Sequence, residues 1–249
     1  MGKVKQAYQD FLEGDRSVWT EDPSILPAPP PWQRANLHRF GSRFSRGLAY
    51  AEFAHRMQER KGSDVPYIGH LLGVASIVID HGGTEDEAIG ALLHDAAEDQ
   101  GGEARLADIH REFGEEVSAI VAGCSDSLEA DPTRKQHWPK RKGAYLAHLA
   151  KDPNNSVVFV SAADKAHNLR SMLADYRVVG EDLWTRFTAG RTGSIRYYRS
   201  LLAIYEKPRL DPRIKAVAAG IRDTLTLLES ACDVASDPEL RDGTGLTPS

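Results

Sequence analysis

Residues 90–99 read Gly-Ala-Leu-Leu-His-Asp-Ala-Ala-Glu-Asp (GALLHDAAED). Just before them, Thr84-Glu85-Asp86-Glu87 has the form of a capping box, in which a hydroxyl and a carboxylate close the free amides of a helix start. Just after them, Gly101-Gly102 is a helix stop. The stretch is therefore read as one helix over 84–99. Three apolar residues precede His94-Asp95, as in a helix built for a protein core. Such a helix does not hold His, Asp, Glu and Asp within six residues unless those groups are paired or bind a metal, because buried charge is costly. Glu98 lies four positions after His94 and three after Asp95, so it overhangs the same face. A helix end with solvated acids accounts for Asp99 but leaves His94-Asp95 unexplained.

The flanking sequence reads as helix after helix. Residues 47–61 carry Ala51, Phe53, Ala54 and Met57. Residues 67–81 (YIGHLLGVASIVIDH) are apolar and end at Gly82-Gly83. Residues 106–123 place Ile109, Phe113, Val117, Ile120 and Val121 on one stripe. Residues 156–160 (SVVFV) are β-branched and compatible with a strand, but they lead without a break into SAADKAHNLRSMLADY, which fits a buried helix equally well. Further helices fit 184–205 and 212–234. The expected class is all-α, a single helical bundle over 41–235. Residues 1–40 hold an amphipathic stretch over 1–17 and a proline-rich arm around Leu26-Pro-Ala-Pro-Pro-Pro-Trp32, which no helix or sheet interior accommodates. Residues 236–249 have little to bury and are expected to form a flexible, frayed tail.

Composition limits the function classes. Hydrophobic residues make up 41 % and charged residues 27 % of 249, with two cysteines, so collagen-like, disordered and disulfide-scaffold classes are excluded. The net charge of −5 disfavours a nucleic-acid polymer as partner. It leaves room for a small phosphorylated molecule, which a few local cations or a metal can hold. The start MGKVKQAYQDF lacks a signal-peptide core, and no apolar run approaches the roughly 20 residues of a membrane helix. A cytoplasmic protein with no membrane partner is expected, its oligomeric state left open.

Two more polar residues sit in apolar helices: His70 in YIGHLLGVA and Asp164 in VVFVSAADKAHNLR. Singly, His70 reads more readily as a satisfied core histidine, and Asp164 as a cap, than either does as a metal ligand. Together the order is His, His-Asp 24 positions on, and Asp 69 positions further. Two imidazoles and two carboxylates suit a divalent transition metal with positions left for water and phosphate oxygens.

That order resembles the signature of the HD-domain metal-dependent phosphohydrolases. The stretches AHRMQERKGSDVPYIGH (54–70), GALLHDAAED (90–99), FGEEVSAIVAGCSDS (113–127) and ADKAHNLRSM (163–172) are most similar to the hydrolase domain of RelA/SpoT alarmone enzymes and to its small stand-alone forms, over about residues 45–205. The resemblance implies that His70, His94, Asp95 and Asp164 ligate one divalent metal, commonly manganese, with iron or zinc as alternatives. It implies that Glu98 and Asp99 are the catalytic acidic pair. Arg60 matches an arginine that packs on guanine, Asn168 and Ser171 match nucleotide contacts, and Lys61 joins the same pocket. The implied reaction is hydrolysis of the 3′-pyrophosphate of ppGpp or pppGpp to GDP or GTP and pyrophosphate.

The chain departs from the family pattern at several places. Leu71 replaces a proline, Gln100 a threonine, Ser161 a lysine and Ala166 a larger apolar residue, and the loop before His70 is one residue longer. No room for a synthetase domain is apparent, so alarmone synthesis is not expected. Ser161 and Gln100 keep open an HD phosphohydrolase acting on another 3′-phosphorylated or cyclic nucleotide or a specialised metabolite. A catalytically silent nucleotide-sensing or protein-binding module is the alternative from another class, and Glu98-Asp99 argues against it. His55 and His167 are read as packing groups or neighbours of the site, and Cys124 as inert core. Tyr197, Tyr198, Trp184 and Phe187 are read mainly as core, with the wall of a base pocket as the alternative, and Arg191 and Arg196 as either phosphate contacts or a solvated face.

Overall fold

The computed structural model describes residues 40–152 and 154–246. The expected helix over 1–17 and the proline-rich arm lie outside the described residues. The described residues fall into two units that divide after Arg46. In the first, the rings of Phe40 and Phe44 lie 5.0 Å apart and Arg46 Nη1 donates to Ser42 Oγ.

Helix α1 (Ser42–His55) contains the point of division, and the second unit holds α2 (Ile68–Asp80), α3 (Glu85–Leu93), α4 (Ala96–Asp99), α5 (Gly102–Phe113), α6 (Glu115–Cys124), α7 (Trp138–Leu149), α8 (Asn155–Val179), α9 (Gly190–Tyr205) and α10 (Pro212–Ala231). No strand forms among the described residues, so the class is all-α. The run Ser156–Val160 is helical: α8 starts where Asn154 Oδ1 accepts the Ser156 N–H at 2.9 Å, and Val157–Val160 are buried beneath α2, α6 and α10. Burial on all sides overrides the weak strand preference of β-branched residues. Among the described residues no helix is long and apolar enough to cross a membrane.

Thr84 forms the expected capping box. Its hydroxyl accepts the Glu87 N–H at 3.2 Å, and the Glu87 carboxylate accepts the Thr84 N–H at 2.8 Å. Glu87 is buried and also holds Arg213 of α10 at 2.8 Å and Ser156 of α8 at 3.0 Å. One carboxylate thus starts the motif helix and ties it to two others.

The helix expected over 84–99 is interrupted at His94-Asp95. His94 Nδ1 donates to Ala91 O at 2.8 Å, the carbonyl that a continuous helix offers to the Asp95 N–H. Similar local causes move other boundaries. Gly114, at φ +91°, splits the 106–123 helix into α5 and α6. The 184–205 helix is a 3₁₀ turn (Gly180–Arg186) followed by α9. The first helix ends at His55 because residues 58–67 fold back on themselves through a Glu59–Pro66 bridge. Helix α7 has no counterpart in the sequence reading. The segment after Ser236 is docked through Leu246, not frayed: Leu240 is fully buried, and its carbonyl and that of Glu239 accept Arg199 and Arg196 of α9.

A four-donor cluster beside a cationic cavity

At the junction of α3 and α4, His94 faces Asp164 in the middle of α8, with Asp95 beside it. Helix α2 supplies His70 and α8 supplies Asp164 to the same point. Asp95 Oδ2 stands 3.0 Å from His94 Nε2 and 3.6 Å from His70 Nε2. Asp164 Oδ1 stands 3.2 Å from His70 Nε2 and 3.6 Å from His94 Nε2. The four atoms make a closed ring of alternating nitrogen and oxygen. Donors on adjacent positions around a cation held at about 2.1 Å lie about 3 Å apart, so the ring has the size of a divalent-metal site. Both Nε2 atoms are buried and make no hydrogen bond, which is costly for a nitrogen without an electrophile to face. The donor set therefore fits a divalent metal.

The surroundings hold each ligand. His94 is fixed through Nδ1 to Ala91 O, as described, and His70 Nδ1 lies 2.9 Å from His167 Nδ1. Tyr67 donates its hydroxyl to Asp95 Oδ2 at 2.6 Å. Asn168 Nδ2 donates to Asp164 Oδ1 at 2.5 Å, and Lys165 Nζ pairs with Asp164 Oδ2. Burial alone would push Asp95 and Asp164 up. For Asp95 the facing imidazoles, and for Asp164 the Lys165 ammonium and then both imidazoles, outweigh it and hold them well below the usual carboxylate range. Burial would lower His94, and the two carboxylates raise it well above the usual imidazole range. His167, which carries no such partner, is pushed down to about 4 by burial and then by the charges of His70 and Arg60.

Glu98 and Asp99 flank this cluster without lining the cavity described next. Glu98 Oε2 accepts the Asp126 N–H at 3.0 Å, and its pKa is pushed up to about 7 by burial and then by the Asp126 charge. A carboxyl at that value exchanges a proton near neutrality. Asp99 is also raised, by burial and then by Asp95. Its Oδ2 accepts Gln58 Nε2 at 2.7 Å, and Gln58 Oε1 accepts Gln100 Nε2 at 2.5 Å. Gln100 thus steadies Gln58, which in turn orients Asp99.

A cavity of about 420 Å³ opens beside the cluster, and Arg60, Lys61, Asn168 and Ser171 all line it. Residues 58–67 are built to present the first two: Arg60 N donates to Val65 O, Tyr67 N donates to Gln58 O, and Gly62 takes φ +75° at the tip. Arg60 Nη2 donates to Asn168 Oδ1 at 2.9 Å, linking the loop to the cluster through Asn168.

Sequence reasoning passed over two more cations in the wall. Lys165 follows Asp164 on α8. Lys142 of α7 is held by the buried Asp126 at 2.6 Å and lies over the Tyr197 ring at 5.5 Å. Trp138 of α7, Phe187, Tyr197 and Tyr198 supply aromatic wall. Ser161, where the resemblance expects lysine, is buried between the hydroxyls of Tyr145 and Tyr205 at 2.7 and 2.8 Å and does not reach the cavity. Arg191 pairs with Asp237 and Arg196 with a backbone carbonyl, so neither is a cavity cation. Cys124 is buried, and burial pushes its thiol far up, as for an inert core residue.

A helical bundle that gathers His, His-Asp and Asp from three segments around one point defines an HD domain, and the family described by that name matches residues 47–195. The chain belongs to the HD-domain family and, within it, to the group of the SpoT-type hydrolases. A guanosine-3′,5′-bis(diphosphate) 3′-pyrophosphohydrolase of Drosophila melanogaster is 32% identical over 134 residues, 53% of this chain and 70% of that protein. A GTP pyrophosphokinase of Streptomyces coelicolor is 34% identical over 135 residues, 51% of this chain. The match spans only 14% of that long relative. A solved metazoan orthologue of SpoT, described as hydrolysing ppGpp, has the same fold with a TM-score of 0.60 at 22% identity, covering 77% of this chain and 99% of that one.

Proposed function

We propose that this chain is a metal-dependent hydrolase that removes the 3′-pyrophosphate of ppGpp or pppGpp, yielding GDP or GTP and pyrophosphate. The observation that carries the reading is the juxtaposition of a four-donor ring with a cavity holding four cations, Arg60, Lys61, Lys142 and Lys165. The similar Drosophila hydrolase supports the choice of substrate.

His70, His94, Asp95 and Asp164 would hold the cation, for which manganese is our choice. When bound, it lowers the pKa of a water and neutralises phosphate charge. The chain's own residues do the rest. Glu98, with its pKa near 7, takes the proton of the attacking water and returns it to the departing 3′-oxygen as the bond from that oxygen to phosphorus breaks. Asp99, held by Gln58, orients that water. Lys142 and Lys165 neutralise the pyrophosphate, since phosphoryl transfer relies on positioning and charge stabilisation. Arg60 and the aromatic wall take the base.

Asp175 gives the cavity a direction. It is the acidic residue among the described cavity-lining side chains and stands 11 positions after Asp164 on α8, about 16 Å along the axis. Arg186 Nη1 pairs with its Oδ2 at 3.2 Å, so the carboxylate is partly neutralised, and as an acceptor it suits the uncharged end of the ligand better than the phosphates. Guanine presents N–H donors there, whereas adenine presents an acceptor nitrogen. A cytoplasmic enzyme goes with this reading. A second reading, hydrolysis of another 3′-phosphorylated nucleotide, is favoured by the withdrawal of Ser161 from the cavity.

One experiment separates the two. Purified protein with Mn²⁺ is offered ppGpp, pppGpp, 3′-phosphoadenylyl compounds, cyclic nucleotides and ordinary nucleoside triphosphates, and phosphate and pyrophosphate release are followed. Pyrophosphate from ppGpp supports the first reading, and turnover confined to another compound supports the second. Binding without any turnover refutes both.

A further inference from the structure

Helix α2 presents His70 and Gly73 one turn apart on the same face, toward α8. A Cβ at Gly73 would stand 2.2 Å from both Cδ2 and Nε2 of His167, closer than any real contact. The His167 imidazole therefore lies in the space a side chain would fill. From that seat its Nδ1 reaches His70 Nδ1 at 2.9 Å. A glycine inside a helix costs about 1 kcal/mol against alanine, so its presence in the apolar HLLG turn calls for a reason. The reason is access: only the bare backbone lets an α8 imidazole come this close to the His70 ring.

We propose that His167, seated on Gly73, is a positioning residue that fixes the tautomer and ring orientation of His70 for metal binding. Two facing Nδ1 atoms share one proton. His70 can offer its buried Nε2 lone pair to a cation only if its own Nδ1 carries that proton, so His167 must be the acceptor. The one proton of the neutral His167 ring then sits on Nε2, beside Gly73. His94 reaches the same end through a backbone carbonyl that accepts from its Nδ1. The two imidazoles of the ring are thus aimed by different devices: a local carbonyl for His94, and a side chain from another helix for His70. The inference rests on His70 being a metal ligand and is independent of which nucleotide the enzyme uses.

The test is Mn²⁺ affinity of metal-stripped protein, measured by electron paramagnetic resonance of free Mn²⁺, with no nucleotide present. Loss of a group that orients a metal-bound imidazole weakens metal binding about 10- to 100-fold, and that loss is expected for His167→Ala. His167→Asn, whose amide oxygen takes the place of Nδ1 as acceptor, is expected to stay within about threefold of wild type, since the hydrogen bond from the ligand is kept. Gly73→Ala is expected to weaken binding as His167→Ala does, and the double variant no further, because both act through one contact. Imidazole ¹⁵N shifts of Zn²⁺-loaded wild type are expected to show His70 protonated at Nδ1. A merely structural role would lower the melting temperature of these variants and leave the Asn and Ala forms alike in affinity. Wild-type affinity in His167→Ala, or no difference between His167→Asn and His167→Ala, overturns the proposal. A wild-type chain that takes up no Mn²⁺ overturns the ligand assignment itself and the proposal with it.

Discussion

Glu98 is held at a cost to stability that the fold must bear, and Glu98→Gln exposes it. Burial and then the Asp126 charge raise its pKa from 4.5 to about 7, while the side chain keeps 19% of its exposure. Below pH 4.5 the carboxyl is neutral in both folded and unfolded chains and contributes nothing to the difference between them. As pH rises from 4.5 to 7, the unfolded chain gives up its proton more readily than the folded one, so the folded state loses stability. Above pH 7 the loss is complete. Two and a half pKa units correspond to about 3 kcal/mol. Glutamine keeps the Asp126 N–H satisfied and cannot ionise. Metal-free Glu98→Gln is therefore expected to match wild type in urea denaturation at pH 4.5 and to exceed it by up to about 3 kcal/mol at pH 8. In the same variant kcat/KM is expected to fall about 10²- to 10⁴-fold, and the wild-type acid limb near pH 7 to disappear. Equal stability of the two proteins at pH 8 would refute the raised carboxyl, and an acid limb that survives in the glutamine variant would refute its role as base.

Lys142→Met leaves Asp126 paired with Arg141, so the fold is expected to survive while kcat/KM drops about 10- to 100-fold from the loss of a charge-assisted contact of about 1.5–3 kcal/mol. Asp175→Asn is expected to narrow the preference for guanine over adenine nucleotides, measured as the ratio of GDP to ADP affinity, with little change in Mn²⁺ binding. Leu240→Ala is expected to destabilise the chain by about 2–5 kcal/mol in urea denaturation, since the side chain is fully buried. A melting curve unchanged by that substitution would mean the C-terminal segment is not docked.

Much of the fold is visible in the sequence because the helices announce their own faces and ends. The capping box at Thr84 and the polar groups in otherwise apolar helices at His70, His94 and Asp164 are local patterns, and they point to one centre without any knowledge of which helices meet. What the sequence leaves out is what depends on such meetings. Trp138 and Lys142 lie on a helix whose polar start and Pro139 hide its period. Lys165 sits in full view beside Asp164, but its role depends on which way α8 turns it. Gln58 matters only because residues 58–67 fold back toward Asp99. The break at His94 follows from one side-chain hydrogen bond to a helical carbonyl, which no hydrophobic pattern reports. The docked segment around Leu240 has few apolar residues, and its anchorage comes from the arginines of α9.

The most direct test of the account is product analysis of Mn²⁺-loaded protein with ppGpp beside the Asp95→Ala variant. Asp95 Oδ2 faces both imidazoles at 3.0 and 3.6 Å, so its removal is expected to abolish metal uptake and turnover together. Wild type is expected to release GDP and pyrophosphate in equal amounts, and Asp95→Ala neither. Wild-type protein that binds Mn²⁺ and leaves ppGpp intact, or a variant that still releases pyrophosphate, would contradict the central claim.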